Sequence, residues 1–284
     1  MKVLVLGNGG REHALAWKIG CSGLVEAVFM APAGSPKEPR IVATALDILD
    51  PDAIMAFVTN EGVDLVVIGP EAPLVAGIAD SLRASGILVF GPGARGAILE
   101  GSKIFAKRFM KEHGIPTADS VVCKTMEEVI QAVEAHDDPY VVKCDGLAAG
   151  KGVCVSTSAA QSIDFAAEVF RGSYGEQAEV IMEERLHGQE VSVFALLDGT
   201  TYALLAPSRD HKRLKEDDTG PNTGGMGAFT PVPGYSTDLH EQICRSIMDP
   251  VMRGLAADKI DYRGLLYVGL ILTDDGPKVL EFNC

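Results

Sequence analysis

The chain has 284 residues, of which 47% are hydrophobic and 23% charged, with 31 glycines and few aromatics; this is the composition of an α/β globular chain long enough for about two domains. Its formal net charge of −14 argues against nucleic acid as a partner, although a local cluster of lysine and arginine can still receive a small anion. Six scattered cysteines without a Cys-x-x-Cys pair, no apolar run approaching roughly 18 residues, and a strand that starts at Lys2 argue against structural zinc, a membrane span and a signal peptide, and favour a reducing cytoplasm.

In chain order, residues 3–6, 25–30, 65–68 and 88–90 are short apolar runs bounded by glycine or proline and are expected to be buried strands. Residues 11–20, 50–61 and 75–85 between them carry helical spacing. Such alternation predicts β-α-β units and a parallel sheet, whose ligands collect at the C-terminal strand ends. The candidates there are Gly7-Asn8-Gly9-Gly10-Arg11 and Gly69-Pro70-Glu71. Two misses argue against a dinucleotide site. Glu12 stands where the fingerprint needs its third glycine, and Phe29-Met30-Ala31 supplies no acid after the second strand.

Gly91-Pro92-Gly93 opens a new segment. Residues 94–113 read as one helix, stopped at Gly114-Ile115-Pro116. A small α/β module is expected next, with strands at 120–123, 140–143, 153–156 and 179–183 and helices at 126–135 and 162–170. Meander-like strands follow at 189–197, 201–206, 265–273 and 277–282. Between them, residues 209–233 form a long loop dense in charge and glycine, which favours a functional segment.

The most informative stretch is Val141-Val-Lys-Cys-Asp-Gly-Leu-Ala-Ala-Gly-Lys-Gly152. A strand ending on Lys143 enters a loop of small residues, including Gly146, Gly150 and Gly152, with a second lysine at Lys151. Bare N–H groups and ammonium charges suit a polyphosphate. The spacing is not that of a P-loop, because three residues separate Gly146 from Gly150 and Gly152 follows Lys151. Lys103 lies at the start of a helical turn just before the module. The segment Glu183 to Glu190 lies where the module ends; it reads either as a charged turn between strands or as a hinge whose free backbone groups could pair with an adenine edge while Glu190 takes the ribose hydroxyls. On the last strand, Glu281 and Asn283 share a face and offer hard oxygen ligands suited to Mg²⁺.

Taken together, these features resemble the ATP-grasp ligases. The motifs Gly7-Asn-Gly-Gly-Arg-Glu-His-Ala-Leu-Ala-Trp17, Gly69-Pro-Glu-Ala-Pro-Leu-Val-Ala-Gly77, Leu99-Glu-Gly-Ser-Lys-Ile-Phe-Ala-Lys107, Arg209-Asp-His-Lys-Arg213, Thr219-Gly-Pro-Asn-Thr-Gly-Gly-Met-Gly227 and Glu281-Phe-Asn-Cys284 narrow the resemblance to the phosphoribosylamine–glycine ligase family. The resemblance implies a parallel α/β (pre-ATP-grasp) domain over 1–100. A two-lobed ATP-grasp α+β fold follows, with its core lobe at 101–119 and 188–284 and its lid lobe at 120–187.

The implied reaction joins glycine to 5-phosphoribosylamine with ATP through glycyl phosphate, in de novo purine biosynthesis, with Mg²⁺ or Mn²⁺. By the same resemblance, Lys103, Lys143, Gly146, Gly150, Lys151 and Gly152 attend the ATP phosphates, while Glu183, Leu186 and Glu190 attend adenosine. Asn8, Gly9, Gly10, Arg11, Pro70 and Glu71 attend phosphoribosylamine. Asp210, Asn222, Gly224 and Gly225 stand near the transfer point, with Lys143, Asp210 and Asn222 as the catalytic set, and Glu281 and Asn283 ligate the metal.

Three departures from the family pattern stand out: Ala33-Gly-Ser-Pro-Lys-Glu-Pro39 replaces a Gly-Asn-Ala-Gly run, Cys144 replaces alanine, and the pattern continues beyond Cys284. A nucleotide-binding fragment without turnover and an ATP-grasp ligase for another carboxylate are the alternatives.

Overall fold

The computed structural model describes residues 1–34, 40–147, 152–175, 179–217, 219–223 and 225–284, with the backbone alone at 221 and 222. Its first sheet is parallel, in the order Ile41–Ala43, Ala27–Ala31, Lys2–Leu6, Leu65–Ile68, Leu88–Phe90. The order reverses between Lys2–Leu6 and Leu65–Ile68, the switch point of a doubly wound sheet, so the loops after these two strands share one crevice. The apolar residues of these strands are buried on both faces, including Leu4, Val5, Leu6, Val66 and Val67.

Local chemistry sets the helix ends. Asp50 caps Pro51–Glu61 by accepting from the Asp52 and Ala53 amides, and Pro51 occupies the first turn, where its missing N–H costs nothing. Residues 71–84 form two helices, Glu71–Val75 and Ile78–Ala84, rather than the single helix expected over 75–85. The chain turns at Gly77, whose φ of +80° lies in the left-handed region. The helix expected over 94–113 is likewise two, Ala94–Gly101 and Lys103–Glu112. Ser102 between them is extended and caps the second helix, its hydroxyl accepting from the Phe105 amide.

The small module is a four-stranded antiparallel sheet in the order Ser120–Cys123, Val180–Glu183, Val141–Cys144, Val153–Val155, covered by helices Met126–Glu134 and Ala159–Phe170. A third sheet, also antiparallel, runs Tyr202–Leu204, Gln189–Asp198, Arg263–Thr273, Gly276–Asn283. Helix Lys103–Glu112 packs on it through Phe109 and Met110, together with a stretch outside every sequence-based expectation: helices Thr237–Ile243 and Asp249–Ala257, joined by a π-helical turn at Cys244–Met248. The turn lies just ahead of Pro250, which has no amide hydrogen to donate. The expected unpatterned loop at 209–233 contains two short hairpins, Arg209–Asp210 with Ala228–Phe229 and Arg213–Lys215 with Thr219–Asn222.

Among the described residues no helix is long and apolar enough to cross a membrane, and all six cysteines are free.

Candidate functional site

A cleft opens where the three sheets meet. Helix Glu71–Val75 of the first domain, helices Ala94–Gly101 and Lys103–Glu112, the module and the terminal strand all contribute to its wall, and they bring Glu71, Lys103, Lys143, Gly146, Glu183, Glu281 and Asn283 to one place. Contacts across it join residues far apart in sequence, as between Lys143 and Leu280, 137 positions apart.

The module's strand Val141–Cys144 carries Lys143 into the cleft. Its Nζ lies 2.9 Å from Glu183 Oε1 and 3.0 Å from Oε2, and it donates to the Leu280 carbonyl at 3.2 Å. Glu183 is itself almost fully buried, on the antiparallel neighbour of that strand. A second ammonium, Lys107, pairs with Glu183 Oε2 at 3.0 Å. The Glu183 carboxylate is therefore paired with two lysines. Burial pushes the Lys107 pKa down to about 8, against the pull of Glu183 and with a further push from Lys143.

Past the strand, the Gly-rich loop is anchored at its mouth. The Cys144 amide donates to the Gly152 carbonyl at 2.9 Å, and Lys103 Nζ donates to the Gly146 carbonyl at 2.9 Å. Asp145 ties the loop to the core: its carboxylate accepts from Ser102 Oγ and from the Ile104 amide, each at 3.1 Å. The loop is thus fastened to the N-terminus of helix Lys103–Glu112, where a negative charge is favoured. Gly146 takes a φ of +80°, which its lack of a Cβ permits. Gly150, Lys151 and Gly224 lie outside the described residues, as does the altered segment at 35–39.

On the far wall Glu281 and Asn283 flank buried Phe282 and share the cleft-facing side of the terminal strand. Among the described residues no cluster of three or more His, Cys, Asp or Glu could hold a metal. One carboxylate and one amide oxygen nonetheless fit Mg²⁺, which keeps several waters and takes substrate phosphates as its remaining ligands. Beside them, Glu100 accepts from the Cys284 amide at 2.7 Å. Burial lifts the Glu100 pKa to about 7; the Cys284 amide opposes the rise, Glu71 and Glu281 add to it, and Arg11 works against it.

The residues expected at adenosine, Leu186 and Glu190, are not among those that line this cleft. Glu190 is on the surface of strand Gln189–Asp198, and Lys212 pairs with its Oε2 at 3.0 Å. Burial lowers the Lys212 pKa, but Tyr267, Glu190 and Glu281 outweigh it, and the ammonium stays above its usual range. Leu186 lies in the connection between Glu183 and Gln189, half-buried. Gly188 in that connection has a φ of +157°, and a Cβ there would overlap the Leu272 carbonyl oxygen. The hairpins place Asp210 against Gly225, where a Cβ would come within 3.0 Å of Asp210 Oδ1. The backbone of Asn222 pairs with Arg213.

At the switch point, Asn8, Gly9, Gly10 and Arg11 face Pro70 and Glu71 across the crevice. Arg11 donates to the Gly69 carbonyl at 2.8 Å and to Glu12 Oε1 at 2.8 Å, while the Gly9 amide donates to Glu12 Oε2 at 2.9 Å. Buried Glu12 fills the space beside Gly7 and Gly69, since a Cβ on either would overlap its side chain. Where the dinucleotide fingerprint needs its third glycine for close helix–strand packing, a buried carboxylate stands instead.

Five residues carry part of this site although sequence reasoning gave them no role: Glu12, Glu100, Lys107, Asp145 and Lys212. All five lie inside the stretches quoted above. Lys107 is four residues from Lys103 on a helix, so a shared face was available as a signal. Asp145 follows Lys143 by two, but its partners Ser102 and Ile104 are more than forty residues away.

Residues 1–100 match the family described as phosphoribosylglycinamide synthetase, N domain, and residues 101–284 match its ATP-grasp (A) domain. Over its whole length the chain is 45% identical to phosphoribosylamine–glycine ligase of Escherichia coli (strain K12) and spans 67% of that protein. It is similarly 45% identical to the enzyme of the same name from Xanthomonas campestris pv. campestris, again spanning 67% of it. The crystal structure of phosphoribosylamine–glycine ligase from Thermotoga maritima aligns with a TM-score of 0.82 at 34% identity, covering 100% of this chain and 68% of the other.

Proposed function

Because the chain belongs to the phosphoribosylglycinamide synthetase family, it is a ligase that joins glycine to 5-phosphoribosylamine in de novo purine biosynthesis, and we propose the residues and the order of steps by which it does so. In this reading residues 1–100 bind phosphoribosylamine, 101–119 with 188–284 form the core lobe, and 120–187 form the lid. The observation that carries the reading is the cleft itself. Lys103 and Lys143 stand at a glycine loop on one side, and Glu281 with Asn283 stand on the other.

ATP lies between these walls. The lysines and the loop from Gly146 to Gly152, including Gly150 and Lys151, hold its phosphates. Leu186 and the Glu183 main chain hold the adenine edge, and Glu190 accepts from the ribose hydroxyls. Glu281 and Asn283 would hold Mg²⁺, or Mn²⁺, which would neutralise charge on the phosphates.

A carboxylate oxygen of glycine takes the γ-phosphoryl group, ADP leaves, and glycyl phosphate forms. The amine of phosphoribosylamine then attacks the acyl carbon, breaks its bond to the phosphate oxygen and loses a proton. Phosphate leaves with an oxygen that came from glycine. Asn8 to Arg11 with Pro70 and Glu71 orient the phosphoribosylamine, while Asp210, Asn222, Gly224 and Gly225 serve the transfer point. Positioning of an amine that is already nucleophilic supplies most of the second step. The anhydride hydrolyses readily, so the lid must exclude water while it exists.

The test is ADP release by the 284-residue chain over a panel of carboxylic acids and amines. Release that requires glycine together with phosphoribosylamine supports the reading; equal release with other acids identifies a different ligase.

A further inference from the structure

The buried lysine Lys107 belongs to no step above, yet it shares the carboxylate of Glu183 with Lys143. We propose that Lys107 is a positioning residue: it is the resident counter-ion of Glu183, and its presence frees Lys143 to leave that carboxylate for the nucleotide phosphates. The inference rests on the reading of the cleft as an ATP site.

The geometry of the two lysines differs in the way this role requires. Lys107 Nζ has three partners for its three donors: Glu183 Oε2 at 3.0 Å, Thr117 Oγ1 at 2.8 Å and the Ala118 carbonyl at 3.1 Å. Lys143 has the same carboxylate and one further acceptor, the Leu280 carbonyl, at 3.2 Å. The first ammonium is held from three sides by its own neighbourhood. The second stands between the carboxylate and the strand that carries Glu281.

Charge makes the arrangement functional. Within the cluster itself, one carboxylate with two ammoniums leaves one positive charge, which the phosphate of a nucleotide complements. If Lys143 turns toward a phosphate while it is the sole partner of Glu183, a carboxylate only 2% exposed is left unpaired, which opposes the turn. With Lys107 in place, the carboxylate keeps a cation throughout. Burial lowers the Lys107 pKa only to about 8, so its charge is present near neutral pH.

A purely structural role for Lys107, cementing its helix to the turn at Thr117 and Ala118, would disturb every ligand of the cleft alike. The proposal separates them by chemistry, because Lys143 acts on phosphates and not on the nucleoside. Calorimetric binding of ATP and of adenosine is measured for wild type, Lys107→Met, Glu183→Gln and the double variant, with thermal unfolding recorded for each.

Lys107→Met is expected to weaken ATP at least tenfold while adenosine changes less than twofold, and adding Glu183→Gln is expected to bring ATP back within threefold of wild type. ATP binding by Lys107→Met within twofold of wild type overturns the proposal. So does equal weakening of ATP and adenosine, or a double variant as weak as Lys107→Met. Should Lys107→Met not fold, Glu183→Gln alone decides: it is expected to bind ATP at least as tightly as wild type, and more than threefold weakening overturns the proposal. Absence of ATP binding by the wild type removes the nucleotide reading of the cleft and this inference with it.

Discussion

Lys143→Ala is the substitution with the most readable consequence. In the free protein the Lys143 ammonium contacts both Glu183 oxygens and the Leu280 carbonyl, and in the proposed complex it exchanges that carboxylate for a phosphate. A hydrogen bond to a charged group contributes about 1.5–3 kcal/mol. At about 1.4 kcal/mol per factor of ten, its loss corresponds to roughly a 10- to 160-fold fall in kcat/KM for ATP. The fold should survive, because Glu183 keeps Lys107 at 3.0 Å and is not left as an uncompensated charge. The assay is steady-state ADP release with ATP varied at saturating glycine and phosphoribosylamine, alongside thermal unfolding. A folded Lys143→Ala protein with kcat/KM for ATP within threefold of wild type refutes the assigned role.

Three further outcomes follow from particular contacts. Asp145→Ala removes the acceptor for Ser102 Oγ and the Ile104 amide, so unfolding should come about 1–2 kcal/mol more easily, with a higher KM for ATP; unchanged values of both contradict the tethering of the loop. Gly188→Ala puts a methyl group onto the Leu272 carbonyl at a positive φ, and calorimetric unfolding should show a loss of at least about 1–3 kcal/mol. Glu100 has a pKa near 7 in the fold and near 4.5 when unfolded, so the native state binds more protons between these values and stability falls as pH rises through that window. The full effect is on the order of 3 kcal/mol, and Glu100→Gln should flatten that part of the stability–pH curve; an identical slope in the variant contradicts the assignment.

Much of the architecture was legible because it is written in local patterns. The alternation of short apolar strands with helical spacing predicted the parallel sheet, and the Lys143 loop and the Glu281-x-Asn283 strand marked two walls of one cleft. What stayed hidden depends on partners distant in sequence. The helix over 94–113 has unbroken periodicity, yet Ser102 interrupts it, because its hydroxyl serves as a cap and reaches Asp145. Glu12 reads as a failed glycine, and its burial depends on the emptiness of both Gly7 and Gly69, which are 62 residues apart. Lys107 reads as one more helical lysine until Glu183 is brought to it across 76 residues. Helix Asp249–Ala257 is masked by Pro250, a residue that stops helices in their interior and is tolerated in a first turn.

The central claim is that glycine is activated on its carboxylate before nitrogen attacks. It is tested most directly with glycine labelled with ¹⁸O in both carboxylate oxygens, turned over by this chain with ATP and phosphoribosylamine, followed by mass analysis of the inorganic phosphate. The account predicts one ¹⁸O in the phosphate for each product formed, since the acyl carbon gives up the oxygen that received the phosphoryl group. Product formed alongside unlabelled phosphate contradicts it.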